Sequence, residues 1–313
     1  MAEGKLTKNI IYFGTPEFSV PSLDGILRAG LQVPLVVTQS DKPKGRGHVM
    51  AMPPVKEFAI SHGIRVIQPL RLKDENFIDT LKSINPDFIV VVAYGRILPK
   101  AILDIPKVAP INLHASLLPK LRGASPIAWA IINGETKTGV TTMVMSEGLD
   151  EGDILLREEV EITDDDTAKT LGIRLSVVGS GLLVRTLEGL INGSVKKTPQ
   201  IGTPSYAPPL KKQDGRIDWR RSAREIFLFI RGMEPWPGAY TRIGNETVKI
   251  LKAKPLDGTG TEGRIETVTG DSITIGTAKG LLSVIEVKPQ GKRAMSVKEF
   301  LQGRRLKGGE LLI

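Results

Sequence analysis

Residues 88–95 read Phe88-Ile89-Val90-Val91-Val92-Ala93-Tyr94-Gly95. A continuous apolar run with no polar alternation suits a strand covered on both faces, and the β-branched Ile and Val favour strand over helix. A strand with one wet face would alternate instead, so this run predicts a parallel sheet sandwiched between helices. Further along, Ile111-Asn112-Leu113 is another short buried strand, followed at once by His114. Upstream, Asn9–Phe13 ends at Gly14 and Val33–Val37 is another buried strand. Between the strands, apolar residues recur at helical spacing: Leu23, Ile26 and Leu27; Val55, Phe58 and Ala59 before Gly63; Phe77, Ile78, Leu81 and Ile84. Strand and helix in alternation predict an α/β, Rossmann-like, mostly parallel sheet with helices on both faces. Thr141–Met145 and Ile154–Leu156 extend the set of strands.

The second half reads differently. Thr167–Leu190 is predicted as a long helix with Leu171, Leu175, Val178, Leu182 and Leu183 on one face. Residues 193–210 then carry Gly193, Pro199, Gly202, Pro204, Pro208 and Pro209 among polar residues, a linker composition. Beyond lie a short helix, Ala223–Ile230, and the β-rich stretches Val248–Leu251, Arg264–Val268, Ser272–Ile275 and Leu281–Val287, parted by glycine turns. Several short strands in about 100 residues predict a small barrel or sandwich. The organisation expected is a domain over residues 1–192, a linker over 193–210 and a second domain over 211–313.

Composition limits the chemistry. The 313 residues contain no cysteine, which excludes a disulfide framework, thiolate metal sites and a cysteine nucleophile. Hydrophobic residues make up 41% and aromatics only 5%, so the cores must be mainly aliphatic. The first residues show no apolar signal-peptide region, and no uncharged run approaches the ~18 residues of a membrane span. A cytoplasmic protein without membrane contact is expected, acting as a monomer. Net charge is +9, and from Leu210 onward 20 Lys and Arg face 12 Asp and Glu, so that part holds 8 of the 9. A basic C-terminal third on a near-neutral body suggests a polyanionic partner, although charge alone fits equally a small domain kept soluble this way. The first βα turn, Gly14-Thr15-Pro16-Glu17-Phe18-Ser19, lacks the glycines that let backbone approach a pyrophosphate, and Glu17 would repel one. Dinucleotide and P-loop readings are therefore excluded.

Three histidines remain as candidates. His62 sits at a helix end and His48 in a basic loop. His114 follows the buried strand at its carboxyl end, where open α/β sheets gather their ligands. Asn112 lies two residues earlier, so both point to one side of the strand. Asp150 falls in the acidic, glycine-rich stretch Gly148-Leu149-Asp150-Glu151-Gly152-Asp153, and is expected at the end of a strand. No spacing suggests a metal site.

These residues carry a resemblance. Asn112-Leu113-His114-Ala115-Ser116-Leu117-Leu118-Pro119 with Gly148-Leu149-Asp150-x-Gly152-Asp153 resembles the signature of folate-dependent formyltransferases, departing at Glu151, where threonine is common. Phe13-Gly14-Thr15-Pro16-Glu17-Phe18, the stretch Thr38–Gly47, Val92-Ala93-Tyr94-Gly95, Arg216-Ile217-Asp218-Trp219 and Pro235-Trp236-Pro237 resemble the branch that acts on methionyl-tRNA. The resemblance implies transfer of a formyl group from 10-formyltetrahydrofolate to the amino group of methionyl initiator tRNA, with Asn112, His114 and Asp150 as the catalytic trio. It implies that the second domain is an OB-fold-like barrel that helps hold tRNA. Folate is expected against Val91, Ala93, Tyr94, Gly95, Ser116, Leu117, Leu118 and Pro119, with Leu117 and Leu118 packing on the pterin face. The loop Gln39–Met52, with Lys42, Lys44 and Arg46 and a tip made pliant by Gly45 and Gly47, is expected to reach tRNA, as are Arg304 and Arg305. The alternatives are a formyltransferase of the same fold acting on a small amine, a sugar nucleotide or glycinamide ribonucleotide, and an RNA-binding protein that has lost its catalysis. The intact trio argues against the last.

Overall fold

The computed structural model describes residues 8–44, 49–302, 304 and 306–312, without the side chain of Lys44. In chain order the first elements are β1 (Asn9–Gly14), α1 (Val20–Arg28), β2 (Gln32–Val37), β3 (Lys42–Lys44), β4 (Val49–Ala51), α2 (Pro54–Ser61), β5 (Arg65–Ile67) and α3 (Glu75–Ile84). They are followed by β6 (Phe88–Val92), α4 (Lys100–Leu103), β7 (Ala109–His114), α5 (Pro126–Ile132), β8 (Lys137–Val144), β9 (Ile154–Glu161) and α6 (Ala168–Asn192). After these come α7 (Ala223–Met233), β10 (Tyr240–Ile243), β11 (Glu246–Leu256), β12 (Ile265–Val268), β13 (Ile273–Gly276), β14 (Leu281–Pro289), β15 (Met295–Ser296) and α8 (Val297–Leu301).

The chain divides into two compact units: residues 1–126, 138–161 and 172–207, and residues 127–137, 162–171 and 208–313. The first holds a seven-stranded sheet in the order β5-β2-β1-β6-β7-β8-β9. From β5 to β7 every neighbouring pair is parallel, and β8 joins β7 antiparallel. The expected mostly parallel sheet is present. All five residues of β6 are buried, which is why that strand shows no alternation. Ile11, Phe13, Leu35, Val37, Ile89 and Val91 face α3 and α4 residues such as Leu81 and Ile102 in one core cluster. Because β1, β2, β6 and β7 run the same way, their carboxyl ends, Gly14, Val37, Val92 and His114, share one edge of the sheet.

The helix α6 is, among the described residues, the one helix long and apolar enough by length and composition to cross a membrane. Its Leu175, Leu182, Leu183 and Leu187 are buried in a core, while Ile173, Val177 and Ile191 are exposed.

In the second unit the antiparallel strands run β10-β11-β14-β13-β12, with β15 added to β14. Val248, Ile250, Ile265, Ile275, Leu282 and Val284 line the inner face and pack with Ile226 and Ile230 of α7 and Phe300 of α8. Ala128, Trp129 and Ile132 of α5 belong to this core too. Both α7 and α8 start with a capping box, Ser222 with Glu225 and Ser296 with Glu299, which satisfies otherwise unpaired first-turn N–H groups.

Candidate active site

Asn112 and His114 sit on β7 with the alternation that the strand requires, and Asp150 meets them from the loop between β8 and β9. Asp150 is not at a strand end, as expected from sequence. β8 stops at Val144 and β9 starts at Ile154, and Asp150 stands on the loop between them with a left-handed φ of 52°. The loop folds back tightly: a Cβ on Gly152 would lie 1.7 Å from the Val144 carbonyl, so only glycine fits there.

The three side chains converge. The Asn112 amide donates to Asp150 Oδ1 at 3.3 Å, and the Gly123 backbone N–H donates to Asp150 Oδ2 at 2.8 Å. His114 is 6% exposed and places Nδ1 3.6 Å from Asp150 Oδ2. That distance is too long for a direct hydrogen bond. Its other nitrogen, Nε2, lies 2.9 Å from the Leu121 carbonyl oxygen. A carbonyl only accepts, so Nε2 carries a hydrogen, and Nδ1, the nitrogen facing Asp150, is the one left to exchange a proton. Asn112 spends one amide hydrogen on Asp150 and keeps the second.

Backbone groups hold this arrangement. Leu121, φ 58°, is a second left-handed residue, and such conformations persist only when the surroundings over-determine them. Here its N–H donates to Ser205 Oγ at 2.9 Å while its carbonyl accepts from His114. The Asp150 and Gly152 carbonyls both accept from the Gln200 amide, at 2.8 and 2.9 Å. Sequence reading missed Leu121, Gly123, Gln200 and Ser205. The left-handed non-glycine position of Leu121 leaves no compositional mark, and Gln200 and Ser205 lie in a stretch whose composition reads as linker.

The residues expected to meet folate divide into two groups. Ala93, φ 45°, and Gly95, φ 80°, are exposed at the carboxyl end of β6, next to the trio's strand. The Tyr94 carbonyl between them accepts from the Gln39 amide at 2.8 Å and from Thr15 Oγ1 at 3.2 Å. By contrast the Val91 and Tyr94 side chains belong to the core, Tyr94 packed edge-on against Phe13. Leu118 is fully buried with Met143 and Ile154, which corrects the expectation that its side chain packs on a pterin. The Leu118 N–H donates to Thr141 Oγ1 at 3.2 Å and its carbonyl accepts from Arg157 at 3.1 Å. Ser116 is buried, its hydroxyl donating to the Lys120 carbonyl and its carbonyl accepting from Thr141. Leu117 lies over Gly139 of β8 and is half-buried, as is Pro119.

Of the basic residues, Lys42 is exposed on β3 and its ammonium donates to Gln39 Oε1 at 3.1 Å. The expected loop is a two-stranded ribbon at its base, where Lys42 pairs with Ala51 and Lys44 with Val49. Arg46, Arg305 and the Lys44 side chain lie outside the described residues. Arg304 is engaged inside the second unit, paired with Glu246 and stacked 4.2 Å over the Phe300 ring, so its guanidinium already has partners. Among the described residues no group of three or more His, Cys, Asp or Glu side chains is placed to hold a metal ion.

Comparison with known proteins matches this architecture. Residues 8–187 fit the family model "Formyl transferase", and residues 209–305 fit "Formyl transferase, C-terminal domain". The methionyl-tRNA formyltransferase of Thermodesulfovibrio yellowstonii is 51% identical over 97% of this chain and 98% of its own. That of Pelotomaculum thermopropionicum is 49% identical over 97% and 98%. Among solved structures, HypX from Aquifex aeolicus in complex with tetrahydrofolic acid aligns with a TM-score of 0.66 at 16% identity, covering 97% of this chain. This chain spans 50% of HypX, and at that identity the likeness speaks for the fold alone. With a conserved architecture in both halves and about half of all residues identical over nearly the whole length, the chain belongs to the methionyl-tRNA formyltransferase family.

Proposed function

We propose that the protein transfers the formyl group of 10-formyltetrahydrofolate to the α-amino group of methionine on initiator tRNA, as a cytoplasmic monomer. The observation that carries this reading is the convergence of Asn112, His114 and Asp150 at the carboxyl edge of the sheet, in a chain whose relatives at this identity carry that name.

The geometry supports a stepwise acyl transfer. The amine nitrogen attacks the formyl carbon, a C–N bond forms, and the carbonyl electron pair moves onto oxygen. The free amide hydrogen of Asn112 donates to that oxyanion. The proton leaving the amine goes to Nδ1 of His114, the nitrogen that the Leu121 carbonyl leaves free, and Asp150 stabilises the imidazolium across the 3.6 Å gap. A substrate group or a water bridging that gap would complete the relay. The oxyanion's electron pair then returns to re-form the carbonyl as the bond from the formyl carbon to the folate nitrogen breaks, that bond's pair stays on the nitrogen, and Nδ1 returns its proton there. The exposed backbone at Ala93 and Gly95 is the edge against which folate polar groups are proposed to pair, with Leu117 and Pro119 alongside.

For tRNA we propose contacts from the loop 39–52, with Lys42, Lys44 and Arg46, and from the basic second domain, where phosphate contacts hold the backbone without reading sequence. The test is formyl transfer from 10-formyltetrahydrofolate to charged initiator tRNA against free glycinamide ribonucleotide and an amino-sugar nucleotide. Transfer to methionyl-tRNA alone is the expected result, and faster transfer to either small amine overturns the reading.

A further inference from the structure

Residues 198–207 have the composition of a tether, and the structure uses them otherwise. At one end Thr198 exchanges two backbone hydrogen bonds with Ile154, at 2.8 and 2.9 Å, which pins it to the start of β9. At the other end the Arg122 N–H donates to the Ser205 carbonyl at 2.8 Å, and the Ala207 N–H donates to the Arg122 carbonyl at 2.7 Å. The segment is thus laced to both loops that carry the trio: the one holding Leu121 and Gly123, and the one holding Asp150.

Between those anchors its side chains face the catalytic loops. Gln200 lies 50 residues from Asp150 in sequence, yet its amide nitrogen donates to the Asp150 and Gly152 carbonyls, at 2.8 and 2.9 Å. Its amide oxygen accepts from two nitrogens of Arg122, at 2.7 and 3.2 Å. One side chain therefore ties the Asp150 loop to the Leu121–Gly123 loop with all of its hydrogen-bonding groups in use. Ser205 does the equivalent for histidine: its hydroxyl accepts from the Leu121 N–H at 2.9 Å, and the Leu121 carbonyl holds His114 Nε2. Gln200 holds Asp150 itself through its backbone and Ser205 reaches His114 through Leu121, and each restrains a residue with left-handed backbone, Asp150 or Leu121.

We propose that Gln200 and Ser205 are positioning residues for formyl transfer, the working parts of a brace that sets the Asp150 carboxylate and the His114 tautomer. The brace rests on the proposed reaction and adds to it two residues that touch no substrate. A structural tether would tolerate their loss, whereas a brace cannot, because a displacement of about 1 Å in a reacting group costs on the order of 10²-fold in rate.

The experiment uses the full chain with methionyl initiator tRNA and 10-formyltetrahydrofolate. Gln200→Glu keeps the size and the acceptor for Arg122 but removes the amide donor and turns an oxygen toward two carbonyls. Its kcat should fall roughly 10- to 100-fold, with both KM values within about twofold. Ser205→Ala should lower kcat in the same way, and Ser205→Thr, which keeps the hydroxyl, should restore most of it. If Gln200→Glu fails to fold, the Ser205 pair decides alone. Parent-like kcat in Gln200→Glu, or equal kcat in the two Ser205 variants, overturns the brace. A change confined to the KM for tRNA or to melting temperature also overturns it, because that marks a tether or an RNA contact. A parent protein inactive toward methionyl-tRNA would instead sink the reaction itself, so the two failures are distinct.

Discussion

Two aspartates on loops after neighbouring strands show how differently the fold treats a carboxylate. Asp150, after β8, is 13% exposed and its partners are an amide side chain, a backbone N–H and, at 3.6 Å, an imidazole nitrogen. Asp164, after β9 in the second unit, is 66% exposed and is gripped by two arginines. Arg224 takes both of its oxygens, at 2.8 and 3.0 Å, and Arg231 adds a contact at 3.3 Å. Both guanidinium groups also stack on Phe227. A carboxylate in a guanidinium fork is locked as an anion and cannot follow a moving proton. Asp150 has no lysine or arginine partner among the described residues, so its charge stays available to an imidazolium that forms and disappears. The same residue type serves chemistry in one loop and attachment in the other, and the partners decide which.

The comparison breaks most sharply at Asp150. Asp150→Asn keeps the shape and the contact to Gly123 but removes the charge that stabilises the imidazolium. Turnover should fall by about 10³-fold or more, the upper part of the range for a positioned acid–base group. Thermal stability and tRNA binding should stay near the parent. Single-turnover formylation and a thermal melt on the same preparation measure both, and parent-like turnover would remove Asp150 from the mechanism. Asn112→Ala comes next, with a loss of roughly 10²–10³ in kcat as an oxyanion donor disappears. If the loss appeared in the KM for folate and not in kcat, Asn112 would be a binding group and the oxyanion would need another donor.

A third, smaller effect is expected at Arg46. If it reads base edges or paired phosphates through its planar fork, Arg46→Ala should lower kcat/KM for methionyl-tRNA roughly tenfold, and Arg46→Lys should recover only part. A plain phosphate contact behaves otherwise: lysine substitutes well, and the alanine variant shows a shallower salt dependence. Formylation rates across a salt series for both variants separate the cases. Parent-like rates in Arg46→Ala would leave the loop without a part in RNA recognition.

What could be read from sequence follows the kind of contact involved. β6 was legible because burial on both faces writes a continuous apolar run, and Asn112 and His114 on β7 because a strand's period of two puts polar residues on one side. β9 is longer than expected: Arg157–Glu161 alternates between half-buried and exposed residues on an edge strand, so its charges hid it. β5 and β10 were missed as three- and four-residue strands, too short for a periodicity to register. At the site, the trio was visible, but what orients it was not. The Leu121 carbonyl and the Gly123 N–H are backbone groups with no residue-type signal, and Gln200 reaches its partners across 50 residues. α5 presents the same limit. Ala128, Trp129 and Ile132 lie on one short helix, and nothing in its local sequence says that they complete the core of the unit built mainly from residues 208–313.

The smallest effect belongs to Asp164, and it sharpens the contrast because it should appear in stability and not in catalysis. The hydrogen bonds from Arg224 hold its carboxyl below the usual carboxylate range against the opposing cost of burial, and the charges of Arg224 and Arg231 add to the lowering. A carboxyl whose folded pKa is depressed contributes stability that is complete above its unfolded value, near 3.9, and is lost as pH falls through the folded value. Exposure limits the size: a solvent-facing pair is worth about 0–1 kcal/mol. Removing it leaves Arg231, 6% exposed, with its bonds to the Thr163 and Asp166 carbonyls, so the buried cation is not orphaned. Asp164→Asn should therefore lower the melting temperature at pH 7 by a few degrees at most, about 2–4 °C for a loss of 1 kcal/mol in a chain of this size. The gap to the parent should close below about pH 4, and kcat should not change. Melting curves at pH 7, 5, 4 and 3 for the two proteins provide the check. A gap that stays constant down to pH 3 would mean that the variant disturbs packing and not the ion pair. A fall in kcat would mean that the two loops are not the separate designs that their partners make them.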